Sequence, residues 1–149
     1  MSKIIKKNSK KIFLASDHAG FKLKENIKKF LIKDKIDFLD LGTKNLNSVD
    51  YPDYAHLLSR KMKVTNNCFG ILVCGSGIGM DMAANRHKNI RAALCYNVKS
   101  AKLSRLHNNA NVIAIGARLT KTKVALKCIS TFIKTNFSGG RHLRRVNKI

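Results

Sequence analysis

The 149-residue sequence predicts an α/β fold, a Rossmann-like three-layer sandwich with a five-stranded parallel sheet. Two observations carry this. Five short apolar runs alternate with stretches of helical period, the β-α-β-α order that builds a parallel sheet covered on both faces. The run Ile71-Leu-Val-Cys74-Gly75-Ser76-Gly77-Ile78-Gly79 is a buried strand that stops at a glycine turn and feeds a helix N-terminus.

The elements follow in chain order. Residues 1–10 read as a basic N-terminal extension and 11–149 as a single domain with a basic C-terminal tail. Lys11–Ser16 is the first strand. Phe21, Leu23, Ile27, Phe30 and Leu31 recur at helical spacing and predict a helix to Lys33. Ile36–Leu41 is the second strand, closed by Gly42. Asp50–Pro52 form a turn, and Asp53 is placed to cap a helix running to about Val64. Gly70–Cys74 is the third strand and Ile78–Arg86 a short helix. Arg91–Tyr96 and Asn111–Gly116 are the last strands, separated by a helix over Val98–Leu106. Thr120 or Thr122 is positioned to cap a final helix reaching about Phe137.

Composition narrows the function. The apolar fraction of 44% is ordinary for a globular domain, and no apolar run nears the roughly 18–20 residues that span a bilayer. No signal-peptide pattern is present, which predicts a cytoplasmic protein. Four cysteines without a CxxC pair fit a reducing compartment, with Cys95 and Cys128 in the core. The 30 basic and 8 acidic residues give a net charge of +22. These cations are spread along the chain and not interleaved with aromatics, so no specific nucleic-acid partner is expected. A solvated lysine-rich surface and an anionic substrate account for the charge. Weak, salt-sensitive polyanion binding is still expected.

Several groups can carry chemistry. The glycine loop reads GxGxG after the third strand, whereas a dinucleotide fingerprint is GxGxxG after the first strand, with an acid about 20 residues on. No Gly-Lys-Ser/Thr of a P-loop is present either, so the loop suits a small oxyanion. Cys74 ends its strand on the lip of that cradle, where a thiolate is favoured and serves as base or nucleophile. Asp17 fits an N-cap, but a cap does not call for His18 beside it. His107 and Asn108 fit a helix C-terminus as well as a site. They are expected near the other groups at the carboxyl edge of the sheet. Arg141 and Arg145, at i and i+4 after Gly139-Gly140, present two guanidiniums on one face if the tail is helical. The histidines show no metal-ligand spacing, so no metal is implied.

Taken together, these motifs resemble the type B ribose-5-phosphate isomerase family, which also includes the galactose-6-phosphate isomerase subunits. The resemblance rests on Ser16-Asp17-His18-Ala-Gly20, Asp40-Leu-Gly42-Thr, Asp50-Tyr51-Pro52, Cys74-Gly-Ser-Gly-Ile-Gly79, Ala83-Ala-Asn85-Arg, Ser104-Arg-Leu-His107-Asn108, Asn111 to Arg118 and Gly140-Arg-His-Leu-Arg-Arg145. It covers residues 11 to about 146.

The resemblance implies cofactor-free interconversion of ribose 5-phosphate and ribulose 5-phosphate through a cis-enediolate. The related alternatives are allose 6-phosphate and galactose 6-phosphate. It implies a homodimer or homotetramer with sites shared between subunits. On this chain Cys74 would be the base and His107 would open the furanose ring. Asp17 and Tyr51 would meet the sugar, and Gly75, Ser76, Gly77, Ile78, Gly79 and Asn108 the enediolate. His18, Arg118, Arg141 and Arg145 would engage the phosphate end. The chain departs from some relatives in three ways. Met80 stands where they carry a glutamate base, with Asp81 one residue out of register. Asn109 stands where they have an acid, and the first ten residues extend beyond the usual start.

Overall fold

A computed structural model describes residues 10–149; residues 1–9, nearly all of the N-terminal extension read above, lie outside the described residues. The order is β1 (Lys11–Ser16), α1 (Phe21–Lys33), β2 (Phe38–Asp40), α2 (Tyr51–Lys63), β3 (Cys68–Cys74), α3 (Ile78–Ala84), β4 (Ala92–Leu94), α4 (Val98–Asn108), β5 (Val112–Gly116), α5 (Thr122–Lys134) and α6 (Arg141–Val146). All pairings are parallel, in the spatial order β2-β1-β3-β5-β4.

The layers follow from the period-2 alternation of strand side chains. Ile12, Leu14, Phe69, Ile71, Val73, Ile113 and Ile115 point to one face, where Leu23, Ile27 and Leu31 of α1, Ala101 of α4 and Ile129 and Phe132 of α5 cover them. Phe13, Ala15, Leu72 and Cys74 point to the other, under Ala55, Leu58 and Met62 of α2 and Met80 and Ala84 of α3. Both faces are therefore dry, which is why the central strands read as unbroken apolar runs. Cys95 and Cys128 are core residues as expected.

Every expected element is present and most boundaries fall within two residues of the sequence reading, although α5 stops at Lys134 and not near Phe137. The edge strands β2 and β4 hold only three residues each, because each has a neighbour on one side only. Asp50, not Asp53, occupies the N-cap of α2, with Pro52 in its first turn. α3 stops at Ala84 instead of Arg86 because Asn85 turns its side chain to the backbone of Ala92, donating to O (3.0 Å) and accepting from N (2.8 Å). Neither Thr120 nor Thr122 caps α5; Lys121 holds that position without a side-chain bond. The basic tail is not featureless: it closes with helix α6.

One ion cluster ties the sheet edge to α1. The Lys24 ammonium is fully buried and reaches both Asp40 oxygens, at 2.8 and 2.7 Å, while Lys28 and Glu25 complete the group. Burial pushes the Asp40 carboxyl up, but the Lys24 bond, the Gly42 amide and Lys28 outweigh it and hold it below the ordinary range. Gly42 and Thr43 then bracket Ser16 by backbone hydrogen bonds of 2.8 Å each. That fixes the end of β1, where the first polar pair begins.

Candidate active site

The carboxyl ends of β1, β3 and β5 lie side by side, with Ser16 opposite Val73 and Cys74 opposite Gly116. The chain leaves β1 towards β2 on one side and returns to β3 on the other, the switch point where parallel sheets open a crevice. A cavity of about 570 Å³ sits there. Asp17, His18, Tyr51, Cys74, Gly75, Ser76, Ile78, Gly79 and Arg118 all line it, as the sequence reading grouped them. Ala19, Met82 and Leu119 line it too and were not anticipated; their side chains carry no chemical signal.

The glycine loop is shaped around the thiol. Cys74 is 4% exposed, and its Sγ accepts the Gly77 N–H at 3.1 Å. An amide donor is thus aimed at the sulfur, where negative charge sits once the proton is given up. Gly77 holds φ +78°, a left-handed conformation that glycine adopts without strain. Ile78 N–H turns to the Ser76 hydroxyl at 3.2 Å. Arg118 lies across Gly75, so its guanidinium is beside the same loop.

The first-strand pair is anchored to the same strand end. Asp17 N–H donates to the Val73 carbonyl at 3.2 Å, and Asp17 Oδ1 accepts the Gly20 N–H at 3.0 Å. The carboxylate therefore does fix the turn before α1, with its second oxygen left over for a ligand. Val49 N–H donates to His18 Nδ1 at 3.1 Å. That bond makes Nδ1 the acceptor and leaves Nε2–H as the donor.

Tyr51 closes one wall. A Cβ on Gly79 would lie 2.5 Å from Tyr51 Cζ and 2.9 Å from its Oη. Gly79→Ala is expected to push this half-exposed ring outward without disturbing the backbone. The KM for a ligand of this cavity should rise about tenfold, the equivalent of ~1.4 kcal/mol, with kcat changed less. Steady-state kinetics on a variant of unchanged melting temperature checks it.

Asp81 lies apart from this cavity. Met80 is fully buried under α2. Its Oδ1 is buried without a hydrogen-bond partner. Burial pushes this carboxyl up to about 6, with the Asn85 amide opposing weakly. A raised acid pKa in the folded state means that stability is lost as pH climbs from about 4 through 6. Asp81→Asn should therefore stabilise the protein by about 1–2 kcal/mol at pH 7.5, allowing for partial solvent screening, and by little at pH 4. Urea unfolding at the two pH values measures the difference.

The expectation that His107 and Asn108 join this edge is corrected. They end α4, which runs antiparallel to the strands and finishes before β5 starts. They therefore sit at the amino edge of the sheet, about 13 Å away along β5. Asn108 lines a different cavity, beside Arg91 and Ala110. The His107 ring stacks on His142 of α6, with centroids 4.2 Å apart and planes 13° apart. Arg141 and Arg145 share the exposed face of α6. Arg105 pins this half. It is buried between Phe69 and Phe132 and donates to Thr135 O (3.1 Å), Asn109 Oδ1 (3.0 Å) and Ala110 O. Neither Arg105 nor His142 stood out in the sequence as a site residue. Nothing in residue type alone tells a buried arginine or a stacked histidine from surface ones.

One chain thus carries two separate clusters: a thiol, a glycine turn and a carboxylate at one edge, and imidazoles, an amide and two arginines at the other. The class is an α/β domain whose strand-end thiol and glycine turn line one cavity. Residues 12–149 match the model of the Ribose/Galactose Isomerase family. The chain is 44% identical over 139 residues to a probable ribose-5-phosphate isomerase B of Mycoplasma pneumoniae, covering 93% of this chain and 91% of that one. Among solved structures, a ribose 5-phosphate isomerase of Thermotoga maritima superposes with TM-score 0.90 at 48% identity, covering 93% of this chain and 95% of that one. Ribose-5-phosphate isomerase B of Mycoplasma genitalium, solved with bound ribulose 5-phosphate, gives TM-score 0.90 at 42% identity, covering 95% and 94%. The chain belongs to the ribose/galactose isomerase family.

Proposed function

We propose that this protein interconverts D-ribose 5-phosphate and D-ribulose 5-phosphate, without a cofactor, as a cytoplasmic homodimer or homotetramer with composite sites. The carrying observation is the Cys74 thiol facing one cavity with the glycine-loop cradle, Asp17 and His18. Bound ribulose 5-phosphate in the Mycoplasma genitalium relative supports the substrate.

The chemistry follows from the groups present. His107 of one copy protonates the ring oxygen while the anomeric hydroxyl gives up its proton, and the furanose opens. The Cys74 thiolate of the other copy removes the proton from C2. The C–H electrons form the C1=C2 bond and the carbonyl electrons move onto O1. The Gly75, Ser76 and Gly79 amides and the Ser76 hydroxyl, with Asn108 of the first copy, hold that oxyanion. Asp17 relays a proton from O2 to O1, and Cys74 returns the carbon proton to C1, leaving C2 as the carbonyl. Such an oxyanion donor contributes about 10²–10³-fold and a general base about 10²–10⁴-fold. Tyr51 packs on the sugar, and His18, Arg118, Arg141 and Arg145 bind the phosphate.

Two features support the composite arrangement. Cys74 and His107 lie at opposite edges of the sheet within one chain, and the cavity is rimmed by exposed apolar side chains, Ile78, Met82 and Leu119. Such a rim suits contact with a second copy. The direct test is turnover of ribose 5-phosphate by the purified protein, with allose 6-phosphate in parallel. Turnover of the five-carbon sugar is expected; turnover of the six-carbon sugar alone would keep the mechanism and overturn the substrate.

A further inference from the structure

The segment between α3 and β4 meets α2 in a second constellation, which isomerisation leaves unused. His56 Nδ1 on α2 lies 2.7 Å from His87 Nε2. Contact that short joins a ring N–H to a ring lone pair, so one bridging proton links the two imidazoles. The charged groups facing His87 are Arg60 and Lys63 of α2, and no acid is among them. Burial first, then His56, Arg60 and Lys63, hold the His87 imidazole below its ordinary value.

His87 also lines a half-enclosed cavity of about 500 Å³ with Arg86, Lys88 and Arg91. Arg91 Nε donates to the Asn109 carbonyl at 3.0 Å, which orients the guanidinium and leaves its terminal nitrogens unbonded. Among the described residues, the side chains of Arg86 and Lys88 make no hydrogen bond and no ion pair. Lone surface cations extend into water; here three converge with an imidazole on one concave wall that no Asp or Glu side chain lines. None of the residues assigned to the sugar phosphate lines this cavity.

We propose that this cavity is a second anion site, which takes a small phosphate-bearing dianion and draws a proton onto the His56–His87 pair as it binds. Two guanidiniums and an ammonium match the acceptor oxygens of a phosphate. The half-enclosed shape favours a small molecule over a polymer chain. A dianion placed here offsets the cations that oppose protonation of the pair. A singly protonated pair keeps its bridge as N–H⁺···N, so proton uptake costs no hydrogen bond. By linkage, the bound anion then favours the protonated pair, and the protonated pair favours the anion.

The test uses the full chain, with inorganic pyrophosphate as probe at constant ionic strength in chloride. Nitrogen-15 spectra of the His56 and His87 rings follow their titration. Saturating pyrophosphate should raise the midpoint of the pair by about one pH unit, a tenfold coupling. The double variant Arg86→Gln/Lys88→Gln should bind pyrophosphate at least tenfold more weakly while keeping wild-type isomerase activity. Ribose 5-phosphate added to a Cys74→Ser protein separates the sources. A shift of the same pair would make the enzyme's own sugar phosphate the ligand, and a shift with pyrophosphate alone another phosphate compound. A pair unmoved by both anions overturns the proposal, as does one moved equally in the double variant or by chloride alone.

Discussion

Cys74→Ser should lose at least 10²–10⁴-fold in kcat for ribose 5-phosphate while keeping the native fold. Geometry keeps the fold intact. Cys74 is a small, 4% exposed side chain beside Ala15 and Leu72, and serine fits its volume. A seryl oxygen can still accept the Gly77 N–H that the sulfur accepts at 3.1 Å, so the loop keeps its left-handed glycine turn. Cys74→Ala leaves that amide unpaired and should cost about 1 kcal/mol more in stability. The argument for lost activity is chemical. A hydroxyl does not ionise near neutrality, and no other group in the cavity stands in the place of the base. Exchange of the substrate C2 proton with deuterated solvent is the sharpest readout, because it isolates the carbon proton transfer from ring opening. A Cys74→Ser enzyme that exchanges within tenfold of wild type would move the base to Asp17 or His18, which line the same cavity.

Much of this site was legible in the sequence because it is local. The cradle, the thiol and the Asp17-His18 pair each follow directly from a strand that ends, and strand ends are marked by where apolar runs stop. The edge to which His107 belongs was not legible in that way. Chain order says that it precedes β5, and in a parallel sheet that puts it at the amino edge. Grouping it with Cys74 by chemistry skipped that polarity. In the proposed composite site a second copy of the chain would unite the two halves, and no spacing within one chain encodes a contact between two. Asp81 was hidden for a related reason. Its residue type predicts exposure, whereas its position in the first turn of α3 buries one oxygen without a partner. The tail shows the converse case, where Gly139-Gly140 reads as flexible but the residues after it pair as i and i+4 on α6 and bring His142 onto His107.

A mixture of two inactive variants should be active. In a Cys74→Ala homodimer both sites lack the base, and in a His107→Ala homodimer both lack the ring-opening acid. If each site draws Cys74 from one copy and His107 from the other, a heterodimer has one doubly impaired site and one complete site. Random reassortment makes half of the molecules heterodimers, so activity should recover to about a quarter of the wild-type rate. Subunits must exchange first, by co-expression or by refolding together. The outcome separates two geometries that single variants cannot. If both groups acted within one chain, every site in the mixture would lack one of them, and the mixture would stay as inactive as its parts. The same logic assigns the arginines. Arg141→Ala paired with Cys74→Ala should recover activity if α6 reaches across to the partner. Arg118→Ala paired with Cys74→Ala should not, because Arg118 already lies across Gly75 in the same chain. That contrast places the phosphate of the sugar between an arginine of one copy and the α6 arginines of the other, which would make binding the substrate and holding the dimer together thermodynamically linked.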